Sequence, residues 1–92
     1  MIVRIMSEGQ YRLADESRDR LNELDNAAVA AVEAGDEDAW RERFDALLDA
    51  VRAEGEPLGD EELLESDVIL PPADATYAET SQDFTGEGLI PD

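Results

Sequence analysis

Histidine, cysteine and lysine are all absent from this 92-residue chain. Without cysteine there is no disulfide, thiolate ligand or thiol nucleophile, and without histidine the usual general base and imidazole metal ligand are missing. Most enzyme templates fail on those grounds. Nothing approaches the ~20 consecutive apolar residues of a transmembrane helix, and Ile2 to Met6 is too short an apolar run for the core of a signal peptide. The expected location is therefore cytoplasmic. Basic residues are scarce: seven arginines, at positions 4, 12, 18, 20, 41, 43 and 52, stand against 25 acids for a formal charge of −18. Such a surface repels nucleic-acid phosphates and anionic lipid, so neither nucleic acid nor direct membrane insertion is expected. Self-repulsion at this density destabilises a compact chain in dilute buffer, whereas molar salt, with a Debye length near ~3 Å, screens it. The composition fits a halophile's cytosol, with a high-GC genome that writes Arg for Lys as the alternative.

What remains is patterned. Ile2, Val3, Ile5 and Met6 form a β-prone run, and beyond Ser7-Glu8-Gly9 the residues Tyr11 and Leu13 alternate with Gln10 and Arg12. Strands are expected at about 1 to 6 and 10 to 14, as a hairpin that needs helices against one face. Asp15 is placed to cap a helix reaching about Ala34, with Leu21, Leu24, Ala28 and Val32 as its apolar stripe and Val29 and Ala31 at the margins. Gly35 supplies the left-handed stop. Asp36 then caps a second helix to about Ala53, in which Trp40, Phe44, Leu47, Leu48 and Val51 share one broad face, and Gly55 ends it. So short a connection implies an antiparallel helical hairpin.

After Arg52 the chain carries twelve acids and no base. Leu58, Leu63, Leu64 and Val68-Ile69-Leu70 make it too apolar for a purely solvated tail. Val68 to Leu70 reads as a third strand ended by Pro71-Pro72, Asp74 as the cap of a short helix at about 75 to 84, and Leu89-Ile90 as an apolar pair that packs back. The reading is one α+β domain over residues 1–92: a hairpin in 1–14, a helical hairpin in 15–54, and an acidic extended segment in 55–92 with a short strand and helix.

Chemistry-bearing constellations are weak. Asp36-Glu37-Asp38 opens like a calcium loop, but Arg41 and Leu47 stand where Gly and an acid are required, so helix capping is the better reading. Acid pairs such as Asp45 with Asp49, Glu61 with Glu62 or Glu33 with Glu37 read as solvated surface. Gly86-x-Gly88 lacks the strand, helix and Lys or Ser/Thr of a phosphate loop. Arg18, Arg20, Arg41 and Arg43 are expected to pair with acids of adjacent turns, such as Glu16, Glu23, Asp38 and Asp45. No catalytic, cofactor or metal residue is expected. Trp40, Phe44, Leu47 and Val51 are the candidate partner interface, because an apolar stripe that the tail leaves uncovered becomes a groove or dimer face, although such residues are more often core.

An ordered set of segments carries a resemblance: Met1-Ile2-Val3-Arg4-Ile5, Glu8-Gly9-Gln10-Tyr11, Leu21-x-x-Leu24-Asp25 and Ala31-Val32-Glu33-Ala34-Gly35-Asp36-Glu37. Pro57-Leu58, Ser66-Asp67, Leu70-Pro71-Pro72-Ala73-Asp74-Ala75-Thr76 and Gly88-Leu89-Ile90-Pro91 complete it. Together they resemble the PspA-associated protein family, PspAA. Tyr77 to Thr85 departs from it in being poorer in apolar residues. The resemblance implies a small, non-enzymatic accessory of PspA, the phage-shock coiled-coil protein of the ESCRT-III class, in an envelope stress response. It implies a PspA-like partner, with membrane association only through that partner, and leaves a homodimer open. The alternatives from other classes are a carboxylate-based divalent-cation-binding domain or metal-assisted hydrolase, and a structural dimer module.

Overall fold

The computed structural model describes residues 1–59 and 64–80. Strands β1 (Ile2–Ile5) and β2 (Gly9–Arg12) form the expected N-terminal hairpin. They are shorter than their sequence suggests because the chain turns at once: Ser7 adopts φ +73°, and Glu8 N–H donates to Ile5 C=O at 3.0 Å. Helices α1 (Ser17–Glu33) and α2 (Glu37–Glu54) follow, and then β3 (Glu56–Pro57), β4 (Val68–Leu70) and α3 (Tyr77–Thr80). The sheet order is β3-β2-β1-β4, with β2 antiparallel to both β1 and β3, and β4 parallel to β1.

Register sorts the strands into two faces. Val3 lies opposite Tyr11 and Val68, and Ile5 opposite Leu70, which turns these side chains toward the helices. There Val3, Ile5, Leu13, Val68 and Leu70 merge into one core with Leu21, Ala28, Val29 and Ala31 of α1 and Trp40, Phe44, Leu47, Leu48 and Val51 of α2. The helix-free face carries Arg4 beside both Gln10 and Ile69, and Ile2 beside Arg12.

The helical hairpin is antiparallel and cross-tied: Arg20 of α1 pairs with Glu54 of α2 at 3.0 Å, and Arg43 donates to Ala27 C=O at 3.0 Å. Arg20 thus finds its acid on the neighbouring helix rather than on an adjacent turn, whereas Arg41 pairs locally with Asp45 at 3.3 Å as expected. Gly35 has φ +69°, the left-handed stop, and Asp36 accepts from Ala39 N–H at 3.0 Å as a true N-cap.

Three local expectations are corrected. Asp15 does not cap α1, which starts two residues later at Ser17, because the backbone turns first: Ser17 N–H donates to Ala14 C=O at 3.0 Å and Arg18 N–H to Asp15 C=O at 3.1 Å, while the exposed Asp15 carboxylate lies 3.7 Å from the N-terminal ammonium. Thr76, not Asp74, accepts the Glu79 N–H of α3 at 3.2 Å, because the helix begins at Tyr77, one residue beyond Thr76. Finally, the strand read as third is the fourth. Glu56-Pro57 has poor strand propensity, but Gly55 brings the chain directly back along β2, where Tyr11 faces Pro57. The rest of the helix expected to about 84, the Gly86-x-Gly88 turn and the Leu89-Ile90 pair lie outside the described residues.

Candidate interaction surface

The apolar stripe of α2 is core. Trp40, Phe44, Leu47 and Val51 are each no more than 1 % exposed, so in the folded chain none of the four offers contact area. Trp40 stacks on Phe44 with ring centroids 5.1 Å apart and planes 8° from parallel, and meets the edge of Tyr77 at 5.6 Å. Arg41 closes the outside of this cluster. Its guanidinium sits 4.7 Å from the Trp40 ring centroid and donates to the carbonyls of Ala73, at 3.1 Å, and Ala75. One side chain thereby offers a cation–π contact and holds the segment leading to α3 against α2.

Two polar side chains that local pattern does not single out are buried, and the first organises the opposite face. β3 and β4 are opposite edges of the sheet, so the chain between them has to cross it. Residues 64–66 do so over Gln10, which is buried although it sits on the helix-free face. The Gln10 amide donates to Leu64 C=O and to Ser66 Oγ at 2.9 Å, while its oxygen faces Leu64 N–H at 3.4 Å. Asp67 continues the tie by accepting from Ile2 N–H at 2.7 Å. The second is Asp25, fully buried on the core side of α1 at a stripe position where an apolar residue is the ordinary choice. At the hairpin turn, Glu8 takes both a 3.0 Å and a 2.9 Å hydrogen bond from Arg52 near the end of α2. These bonds, with the adjacent negative charge, hold the guanidinium above its ordinary pKa.

The crossing segment leaves one part of the surface apolar and open. Among the described residues the large hydrophobics that stand exposed are Met6 at 47 %, Leu64 at 41 % and Ile69 at 56 %. Met6 and Ile69 are neighbours at the β4 edge. With Pro71, Pro72, Ala75 and Glu79 they line an open groove of about 400 Å³ between that edge and α3. A second depression of about 260 Å³ lies between the hairpin and β3, lined by Arg4, Gln10, Pro57 and Leu58, and its carboxylate, Glu8, is already engaged by Arg52.

Among the described residues no group of three or more His, Cys, Asp or Glu side chains could hold a metal ion, and no helix is long and apolar enough to cross a membrane. No curated protein and no solved structure matches the chain. One family model does, that of the PspA-associated protein, and it spans residues 1–92. A match over the whole length places this chain in the PspA-associated protein family, PspAA.

Proposed function

We propose that this chain is a non-enzymatic interaction module of a PspA-type membrane-stress system, acting in the cytoplasm by binding the PspA coiled coil or a partner of that system. The family match across residues 1–92 is the observation that carries the reading. Two features support it. The chain has no histidine or cysteine with which to build the commonest acid–base or nucleophilic sites. It also presents an acidic surface with an open apolar groove, a combination suited to a basic amphipathic partner, with charge setting encounter and orientation and apolar burial setting affinity.

Light scattering on a mixture of this chain and the PspA homologue of its own genome, in molar KCl, tests the reading. Co-elution at a mass above either component alone is expected. Independent elution at high protein concentration contradicts direct PspA recognition.

A further inference from the structure

The proposed function leaves the docking surface unassigned, and α2 cannot supply it while its stripe is core. We infer that the groove between the β4 edge and α3 is where the partner docks, and that its occupant is a basic amphipathic helix, which sets an apolar side chain against Met6 and Ile69 and a Lys or Arg against Glu79. This inference rests on the PspA-partner reading and adds the surface and the chemistry of contact.

Four observations support it. Ile69 is 56 % exposed between Val68 and Leu70, which are both core, so the strand's alternation turns an isoleucine outward in a chain otherwise covered in carboxylates. Met6 stands beside it, and the groove walls are completed by Pro71, Pro72 and Ala75. Glu79 is the charged residue that lines the groove, and the whole chain carries −18, so an anionic occupant would be repelled and a cationic one drawn in. Arg4, the register partner of Ile69 on β1, does not line the groove.

The shape selects a helix over the other occupants. β4 is three residues long and runs into two prolines, so its edge offers too few ladder groups for an added strand. The groove is open to solvent, unlike the enclosed pockets that bury most of a small ligand. A second copy of this chain would bring another −18 to the contact. A helix with a basic border supplies the missing charge and a row of apolar side chains at i, i+3 and i+4 spacing.

The test is a calorimetric titration of the full chain against the PspA homologue at physiological ionic strength and in molar KCl, with Ile69→Ser, Glu79→Arg and the control Glu23→Arg. Glu23 is exposed on α1, away from the groove. Circular dichroism and the melting midpoint check that each variant folds. Ile69→Ser is expected to weaken binding about tenfold or more at both salt concentrations, since it replaces an aliphatic contact with a polar one. Glu79→Arg should weaken binding severalfold at low salt and little in molar KCl, and Glu23→Arg less than Glu79→Arg. Wild-type binding that Ile69→Ser leaves intact overturns the groove assignment while the proposed function stands, whereas no wild-type binding overturns the proposed function itself. A wild-type dimer that Ile69→Ser dissolves without touching partner binding gives the groove to a second copy and overturns the inference. A lowered melting midpoint of isolated Ile69→Ser with binding unchanged gives it to the chain's own residues beyond Thr80, and overturns it equally.

Discussion

Replacing Trp40 with alanine should remove a large share of the stability of this fold rather than report on a partner. The ring is 1 % exposed, stacked on Phe44 and edged by Tyr77, so truncation removes a full aromatic burial and leaves a cavity between α2 and α3. Such changes cost about 3–5 kcal/mol. Arg41 also loses a face it covers at 4.7 Å, which loosens its hold on Ala73 and Ala75. At 0.05–0.15 kcal/mol per residue the whole domain has on the order of 5–14 kcal/mol to lose. Trp40→Phe, which can keep an aromatic stack on Phe44, should cost about half as much or less. Urea unfolding followed by circular dichroism in molar KCl reads both, because the alanine variant has no tryptophan fluorescence. A loss below about 1 kcal/mol with wild-type helix content would refute the placement of Trp40 in the core, since that is the range of an exposed substitution.

Other consequences follow from the same geometry. Gly35 and Gly55 both end helices for different reasons: at Gly35 the strain is φ +69° with nothing near a Cβ, whereas at Gly55 a Cβ would sit 2.5 Å from Val51 C=O and 2.9 Å from Tyr11 Cβ. Gly35→Ala should therefore cost about 1 kcal/mol and Gly35→Asn less, while Gly55→Ala and Gly55→Asn should both cost about 2–3 kcal/mol in urea titrations. Gln10→Ala removes the bonds that hold residues 64–66 to the sheet and should cost about 1–3 kcal/mol, with faster hydrogen exchange at the Leu64 and Asp67 amides. Glu8→Gln breaks a pair that is about a third exposed, so the expected loss is below about 1 kcal/mol at low salt and vanishes in molar KCl. The melting midpoint of the unmodified chain should rise with KCl as the −18 charge is screened; a midpoint indifferent to salt would count against self-repulsion as a material cost.

α2 was legible because all its signals agree: Asp36 at the cap, acids in the first turn, Arg52 in the last, and one apolar face. The hairpin was legible from Ser7-Glu8-Gly9 between two β-prone runs. Gln10 was not, since its role is made by residues 54 and 56 positions further on. Asp25 was missed because a local pattern assigns an acid to solvent, and only the packing around α1 puts it inside. β3 has no propensity of its own and exists because Gly55 lets α2 hand the chain directly to β2. As for the candidate surface, the stripe of α2 could be seen but not what covers it. Ile69 could be given an outward position by alternation, yet only the parallel pairing of β4 with β1 brings it beside Met6.

Docking on PspA through apolar contact, as proposed, should survive in molar salt, where charge is screened. Calorimetric titration against the PspA homologue in molar KCl at several temperatures is the decisive measurement. Saturable binding with a negative heat-capacity change, the mark of buried apolar surface, is expected. No heat of binding and no shift in either protein's melting midpoint at high concentration would contradict it.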